Sequence, residues 1–269
     1  MKKMKNDILI IHKNQEGILR LVLNDPKNKN ALSENMINQL KKFLNDASDD
    51  DSVKVIIIAA VGNVFCSGHN LREISDARNN RDDGESYFLS LFNLCSSLMQ
   101  IIVTCSKPVI AEVNGVATAA GCQLVASCDL AIASDLSRFA TPGVNIGLFC
   151  STPMVALSRN VSKKNALKML FTGETIDAEE AKRISLINDY VSPEKLEDKV
   201  MSLAKTIADK SSMTIKLGKL AFNKQYEMDL SEAYDFTSKV MTENSLNDDA
   251  KEGISSFLQK KKPVWKDNK

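Results

Sequence analysis

Residues 107 to 147 read KPVIAEVNGVATAAGCQLVASCDLAIASDLSRFATPGVNIG, and this stretch carries the strongest fold signal of the chain. Its first part, Pro108 to Val113, is an apolar run of strand length, and Asn114-Gly115 then predicts a turn. The following residues, Ala117 to Ala126, are small and compatible with a helix. We therefore predict a buried strand, a turn and a helix whose N-terminus lies near Ala120.

The predicted helix start offers backbone donors for a ligand. The first N–H groups of a helix have no partner within the helix, so those near Ala120 and Gly121 can bind an anion or a polarised carbonyl oxygen. Gln123 follows one turn later, about 4.5 Å further along the axis. Its side-chain amide is therefore expected beside whatever the N–H groups bind, although a structural amide that satisfies nearby loop groups is the alternative.

A second donor is expected upstream, where the strand-like run Val53 to Val61 is followed by the segment Phe65 to Leu71. Gly68 in this segment lets the backbone approach a ligand closely. The N–H groups of His69 and Ala120 are then predicted to converge on one carbonyl oxygen, and each such donor is typically worth about 10²- to 10³-fold in rate. Together the two segments predict an oxyanion hole.

The rest of the chain predicts an α/β fold. Strand-like runs alternate with helical patterns, and from about Glu194 onward the pattern is helical only. Ser33 suits the N-cap of a first helix, and Asp177 with Glu180 predicts a capping box on a later one. The polar stretch 76–85 predicts a mobile surface loop. The strand-like runs are Ile8 to His12, Ile18 to Leu23, Val53 to Val61, Val109 to Val113 and Leu130 to Ser134.

These motifs resemble those of the crotonase, or enoyl-CoA hydratase/isomerase, superfamily, from about Leu9 to Trp265. Leu23 to Leu32 is similar to the family's opening CoA-contacting segment, and FCSGHNL is similar to its first oxyanion loop. The string AAGCQLVASCDLAIAS is similar to the second loop, followed by Phe139 to Gly147. Within the superfamily, ATAAGCQLVASCD and ATPGVNIGLFCSTP are most similar to the enoyl-CoA hydratase domain-containing protein 3 group.

The resemblance implies a crotonase-like spiral of ββα turns followed by a C-terminal helical oligomerisation region. Residues 1–195 are expected to form the core with the acyl-CoA site. Residues 196–269 are expected to join subunits into a homotrimer or a dimer of trimers. A coenzyme A thioester is implied as substrate or ligand, and no other cofactor and no metal is expected.

The resemblance also implies which residues form the site. The catalytic positions are His69, through its side chain or only its backbone N–H, the backbone N–H of Ala120, Gln123 and Gly143. The substrate-binding positions are Lys29, Ala31, Cys66, Gly68, His69, Asn70, Leu71, Ala120, Gly121 and Lys261. Lys261 belongs to a lysine run that would meet CoA phosphates, for which a solvated chain end is the alternative. Glu112, inside the predicted strand, is at best a weak acid-base candidate and could face a subunit contact.

Two positions depart from the hydratases of the family. There one Glu follows the Gly-Cys of the second loop and another follows the Pro of the next segment, and the pair positions and activates water. Gln123 and Gly143 stand at these positions. Gln cannot exchange a proton near neutral pH and Gly has no side chain, whereas a positioned general acid or base contributes about 10²- to 10⁴-fold. Both substitutions argue against ordinary hydration.

An intact oxyanion hole would still serve other reactions of a thioester enolate, namely isomerisation, decarboxylation and hydrolysis. Decarboxylation needs no base, and decarboxylases of the family also carry a His in the first loop, but they have a Tyr where Phe149 and Cys150 stand here. We predict a lyase or isomerase of acyl-CoA or fatty-acid metabolism that stabilises a thioester enolate. The alternatives are a non-catalytic acyl-CoA-binding or regulatory module and an acyl-CoA decarboxylase.

Composition limits the remaining possibilities. A net charge of +1 over 269 residues gives no electrostatic case for nucleic acid. The six cysteines show no zinc-ligand spacing and are expected to be reduced core thiols, with a thiol nucleophile at Cys122 or Cys150 as the alternative. No run of eighteen apolar residues predicts a membrane span, and the start MKKMKNDILI lacks a signal-peptide core. We expect no nucleic-acid or membrane partner, and a cytoplasmic protein, or a mitochondrial matrix protein in a eukaryote.

Overall fold

The computed structural model describes residues 8–266. The strands are β1 (Leu9–Lys13), β2 (Ile18–Leu23), β3 (Val55–Ala60), β4 (Val64–Cys66), β5 (Val109–Val113), β6 (Val116–Thr118), β7 (Leu130–Ser134), β8 (Arg138–Ala140), β9 (Ile176–Asp177) and β10 (Asp189–Val191). The helices are α1 (Glu34–Asp49), α2 (Leu71–Ala77), α3 (Glu85–Thr104), α4 (Ala120–Ser127), α5 (Ser151–Asn160), α6 (Lys163–Thr172), α7 (Ala178–Arg183), α8 (Pro193–Ala208), α9 (Ser212–Gln225), α10 (Leu230–Leu246) and α11 (Asp248–Leu258).

The strands form two sheets. In each ββα repeat from β3 to β8, the first strand joins one sheet and the second strand joins the other. β3, β5 and β7 run parallel in a six-stranded sheet of order β1-β2-β3-β5-β7-β10, in which β1 pairs antiparallel with β2. β4, β6 and β8 run parallel in a four-stranded sheet of order β4-β6-β8-β9. Each of these second strands leads into a helix. The predicted α/β spiral of ββα turns is therefore confirmed.

Helices cover both faces of the six-stranded sheet. The first face carries Leu21 of β2 and packs in one apolar core with residues of α1, α3 and α4, such as Leu40, Leu98 and Leu124. The second face packs against α8 in a smaller core that contains Ile57. The predicted cap of α1 is confirmed, because the Ser33 side chain accepts a hydrogen bond from the backbone N–H of Met36.

Helix α3 is long and apolar enough to cross a membrane by length and composition. Here it buries one face, which includes Leu91, Cys95 and Leu98, in the larger core. Its last turn is bound by α9, since Lys219 Nζ donates to the carbonyl oxygen of Ile102 at 2.9 Å. In this fold α3 therefore serves as a core helix.

The polar stretch 76–85, expected to be a mobile surface loop, is mostly exposed and forms turns between two helices. Helix α2 ends at Ala77 and α3 begins at Glu85, with turns between them. The Asp82 carboxylate accepts from the backbone N–H groups of Gly84 at 3.2 Å and Ser86 at 3.0 Å. Gly84 is the N-cap of α3 and Ser86 lies in its first turn, so Asp82 satisfies two N–H groups at the start of this helix.

The C-terminal region beyond α8 consists of α9, α10 and α11 within the described residues. The predicted division between residues 195 and 196 falls inside α8, whose residues Leu196, Val200 and Ala204 pack on the sheet. Large apolar side chains of the last helices are exposed, among them Tyr234 and Phe257. Their use in joining subunits stays a prediction.

Candidate functional site

The two loops predicted as the oxyanion hole lie against each other. Gly68 has a φ of +91°, and a Cβ added there would lie 2.9 Å from the Cβ of Ala119 and 3.2 Å from the backbone nitrogen of Ala120. Thr118 Oγ1 also donates to the carbonyl oxygen of Ser67 at 3.2 Å. Glycine at position 68 therefore gives both the left-handed conformation and the close approach of the two loops.

Helix α4 begins directly on the first loop. A Cβ added to Gly121 would lie 2.7 Å from the carbonyl carbon of Cys66 and 2.9 Å from its Cβ, and it would collide with the Cys66 carbonyl oxygen. Ala119, the residue before α4, has a φ of 52°, which is unfavourable for a residue with a side chain. Its N–H donates to the carbonyl oxygen of Ala140 at 2.9 Å, which holds the chain in this conformation.

The N–H groups of His69 and Ala120 have no carbonyl acceptor among the backbone hydrogen bonds of residues 8–266. The carbonyl groups of the preceding residues are hydrogen-bonded, because Leu32 N–H donates to the Gly68 oxygen at 2.8 Å and Gln123 N–H donates to the Ala119 oxygen at 3.0 Å. The two free donors therefore belong to adjoining loops, at the ends of strand β4 and strand β6. Such a pair can bind one oxygen atom that carries negative charge.

The opening segment around Lys29 and Ala31 is docked onto the first loop. Ser67 donates to the carbonyl oxygen of Lys29 at 3.2 Å, and the buried Asn30 side chain donates to the carbonyl oxygen of Val64 at 2.7 Å. The Lys29 side chain is exposed and Ala31 is buried. The structure thus places these two predicted binding residues beside the first loop, which carries the His69 N–H.

Three buried polar atoms near the loops have no hydrogen-bond partner within the described residues: His69 Nε2, Gln123 Oε1 and Thr141 Oγ1. Gln123 is only 4% exposed, and Thr141 follows Ala140, which binds the loop at Ala119. An unsatisfied buried polar group costs about 1–3 kcal/mol. A bound molecule that satisfied these atoms would recover part of this free energy. Sequence reasoning missed Thr141, whose one signal is its polar side chain in the string FATP.

His69 is held as a neutral ring. Its Nδ1 lies 3.4 Å from the carbonyl oxygen of Leu32, and because a carbonyl can only accept, Nδ1 carries the proton. The ring meets the edge of Phe92 with 5.6 Å between centroids. Burial lowers the pKa of His69 below its ordinary value of 6.5, against a smaller opposite effect of the Leu32 carbonyl. Nε2 therefore presents a lone pair at neutral pH.

We expect NMR to show His69 as the neutral Nδ1–H tautomer at pH 7, with a titration midpoint below 6.5. As the pH falls, the histidine of the unfolded chain is protonated before that of the folded chain. The contribution of neutral His69 to the free energy of unfolding is therefore complete above pH 6.5 and is lost as the pH falls through the folded pKa. Long-range ¹H–¹⁵N spectra measure tautomer and midpoint, and a His12→Gln variant leaves a single histidine. A charged ring at pH 7 would contradict the buried geometry.

The space beside Gly143, where a side chain would lie, is filled by other parts of the chain. A Cβ added there would lie 2.5 Å from the carbonyl oxygen of Leu148 and 2.9 Å from Cys150 Sγ. The backbone turn is closed by a hydrogen bond of 2.9 Å from Leu148 N–H to the Gly143 carbonyl oxygen. The chain itself therefore occupies the space that a carboxylate side chain would enter, and a Glu at this position would displace the turn.

The cysteines of this region are protonated thiols. Burial raises the pKa of Cys66 and of Cys122 to about 12, and it also raises the pKa of Cys150. All six cysteines are buried and none forms a disulfide. Since the thiolate is the nucleophile, these values disfavour a thiol mechanism at Cys122 or Cys150. Within residues 8–266 no group of three His, Cys, Asp or Glu side chains is placed to hold a metal ion.

The remaining predicted residues are placed differently. The Asn70 side chain accepts from Arg72 N–H at 3.1 Å and caps α2, and Leu71 begins that helix with its side chain exposed. Lys261 lies after α11 with an exposed side chain. No hydrogen bond or ion pair within the described residues joins that side chain to the loops. A contact of Lys261 with CoA phosphates stays a prediction.

Comparison with known proteins agrees with the geometry. The family model described as enoyl-CoA hydratase/isomerase matches residues 13–268. The Xenopus laevis mitochondrial enoyl-CoA hydratase domain-containing protein 3 is 51% identical over 257 residues, which cover 96% of this chain and 86% of that protein. The human protein of that name is 50% identical over 250 residues, covering 93% and 81%. The predicted similarity to this group is confirmed.

Solved structures agree as well. The crystal structure of human enoyl-CoA hydratase domain-containing protein 3 has a TM-score of 0.92 and 48% identity, covering 96% of this chain and all of that one (100%). An enoyl-CoA hydratase from Mycobacterium smegmatis has a TM-score of 0.92 and 42% identity, covering 97% and 99%. The crotonase-like fold is thereby confirmed. By its sequence and by its fold, the chain belongs to the enoyl-CoA hydratase/isomerase family.

Proposed function

We propose that this protein binds an acyl-CoA thioester and stabilises its enolate with the N–H groups of His69 and Ala120. The observation that carries this proposal is the pair of N–H donors without carbonyl acceptors on two loops in contact. In a site closed to water, each donor aimed at the enolate oxygen is typically worth about 10²- to 10³-fold in rate. Lys29 and Ala31, beside the first loop, are proposed to contact the CoA portion.

The reaction we propose forms the enolate without a side-chain carboxylate at position 123 or 143. In decarboxylation of a malonyl-type thioester, the bond between Cα and the carboxylate breaks and CO2 leaves. The electron pair moves onto the thioester oxygen, and the carbonyl re-forms as Cα takes a proton from solvent. In isomerisation of a β,γ-enoyl thioester, the Nε2 lone pair of His69 is the candidate base that takes a proton from Cα. Return of that proton to Cγ moves the double bond to Cα–Cβ and re-forms the thioester carbonyl. The Gln123 amide and the Thr141 hydroxyl would bind a polar part of the acyl group or a water molecule.

A non-catalytic acyl-CoA module is the second candidate. It is favoured by the backbone turn that fills the space beside Gly143, and by Gln123, which exchanges no proton at neutral pH. This module would hold the thioester oxygen with the same two N–H groups. The two candidates therefore agree on binding and differ on turnover.

The test is incubation of the purified protein with enoyl-, malonyl-, methylmalonyl- and saturated acyl-CoA esters in D2O, read by mass spectrometry. We expect loss of CO2 from a malonyl-type ester or deuterium at Cα, because both report an enolate. An Ala120→Pro variant removes the N–H at the first position of α4, a helix position where proline is tolerated, and puts the ring Cδ where the ligand oxygen would bind. Its turnover is expected to fall by about 10²- to 10³-fold.

Unchanged thioesters that nonetheless bind would establish the non-catalytic module. Failure of every ester to bind would overturn both candidates. A Leu136→Ala variant, which shortens an exposed side chain between β7 and β8, is the matched control for a small change away from both loops. Circular dichroism of each variant separates loss of the donor from loss of the fold.

Assembly and location complete the proposal. The exposed apolar side chains of the last helices, including Leu230, Tyr234 and Phe257, support a homotrimer or a dimer of trimers formed through α9 to α11. The Xenopus and human relatives are named mitochondrial. We therefore propose the mitochondrial matrix if the chain is eukaryotic, in place of the cytoplasm.

A further inference from the structure

A cavity of about 700 Å³ lies on the second face of the six-stranded sheet, against α8. Its size is within the range of small-molecule sites. Its wall contains Arg20 and Glu112, which alternate along their strands with Leu21 and Val113 of the core beneath the thioester loops. The cavity is therefore on the opposite side of the sheet from that core. Its apolar lining includes Ile10, Ile18, Val22, Ala59, Leu196 and Met201.

Three charged groups form one wall. Arg20 binds Glu112 Oε1 at 2.5 Å, and its other terminal nitrogen pairs with Glu197 of α8. The Glu112 side chain is only 9% exposed, whereas Glu197 is 66% exposed. Arg20 Nε and Glu112 Oε2 are buried and have no hydrogen-bond partner within the described residues. Because a buried ion pair stabilises a fold only when its remaining atoms are satisfied, this arrangement is poorly explained as a purely structural pair.

The charge of this wall indicates what it would bind. Two carboxylates face one guanidinium, so the three groups together carry a charge of −1 when both are ionised. The other titratable lining groups are His12 and Lys13 of β1, and the Lys13 ammonium pairs with Asp50 at 2.9 Å. Burial raises the pKa of Glu112 to about 7 against the opposing effect of Arg20. A nearby cation would favour the ionised carboxylate, whereas an anion would be repelled.

We propose that this cavity is a second binding site, for an organic cation with an ammonium group on an apolar body. The ammonium group lies at the Glu112 carboxylate, where rotation of that carboxylate brings Oε2 to the cavity surface, and the hydrocarbon packs on Val22, Leu196 and Met201. The site is independent of thioester binding. The three charged groups of its wall are side chains of β2, β5 and α8, and the site takes a ligand of opposite charge.

Hexylammonium is the probe, with hexanol and hexanoate as neutral and anionic controls of equal length, titrated into the assembled protein by NMR. Saturable binding of hexylammonium alone is expected at pH 8. Glu112→Gln should weaken it at least tenfold, because the buried charge is lost. Glu197→Gln is the matched control, and since that carboxylate is mostly exposed, the expected change is within about threefold.

The pH dependence gives an independent readout. With a pKa of about 7, the Glu112 carboxyl is mostly ionised at pH 8 and mostly protonated at pH 6. Affinity for hexylammonium should therefore fall about tenfold between these values in the native protein and should stay constant in Glu112→Gln. Circular dichroism of each variant checks that the fold is intact.

A second variant covers the case in which Glu112→Gln does not fold. Val22→Phe narrows the cavity without changing a charge and should also abolish binding. The proposal is overturned if no saturable binding occurs, or if hexanol binds as tightly as hexylammonium. It is equally overturned if hexylammonium binds only after the subunits dissociate, since the cavity would then be a subunit contact.

Discussion

Gly121→Ala is expected to separate the two loops of the thioester site and to lower turnover, or thioester affinity if the protein is not catalytic, by about 100-fold. The added methyl group would collide with the Cys66 carbonyl group, whose carbon would be 2.7 Å away. Relief requires a shift of about 1 Å at the start of α4, and a misplacement of that size can cost about 10²-fold. Titration or turnover of an acyl-CoA ester measures the loss directly.

The control for Gly121→Ala is a glycine-to-alanine substitution at a helix position where the added methyl group meets no other atom. A Cβ added to Gly218, inside α9, meets nothing within 4 Å. Gly218→Ala should leave thioester binding unchanged and stabilise the helix by about 0.5–1 kcal/mol. Equal behaviour of the two variants would mean that the contact between Gly121 and Cys66 does not position the donors.

Lys219→Met is expected to lower the free energy of unfolding by about 1–3 kcal/mol, because it removes a buried hydrogen-bond donor. The Lys219 side chain is 7% exposed and binds Asp129 Oδ2 at 2.6 Å. It also donates to the carbonyl oxygens of Ile102 and Lys107, both at 2.9 Å. Burial already raises the pKa of Asp129 against the effect of Lys219, so removal of the ammonium leaves this carboxylate without its counter-charge. Urea unfolding measures the change.

Lys216→Met is the matched control on the same helix. Its side chain is exposed, so we expect a change within about 0.5 kcal/mol. If Lys219→Met were equally mild, α9 would be held to the core by its apolar contacts alone. The comparison is best made at fixed protein concentration, because subunit association also stabilises the folded chain.

The long strands and the N-caps could be predicted because their signals are local. The runs Ile18–Leu23, Val109–Val113 and Leu130–Ser134 are strands with the predicted bounds. The strands β4, β6 and β8 were not predicted, since each has only three residues and each owes its existence to its neighbours. Three residues are too few for a periodic pattern, and pairing across the small sheet is a tertiary property.

The two oxyanion loops could be predicted from their glycines and small residues, which allow close backbone approach. Thr141 and the Arg20–Glu112 pair could not, because the lack of a hydrogen-bond partner is visible only after folding. Position 143 is similar. From the sequence, Gly143 shows only that a side chain is absent. The structure shows that the backbone of Leu148 fills the space where that side chain would lie.

The oxyanion hole requires two successive turns of the spiral to be folded. His69 belongs to one turn of the spiral and Ala120 to the next, so neither turn contains the oxyanion hole by itself. During synthesis the hole exists only after the chain has extended to Ala140, whose carbonyl oxygen fixes Ala119. A small shift between these two turns would separate the two donors while the apolar core stayed buried, so we expect ligand affinity to respond to their alignment before overall stability does.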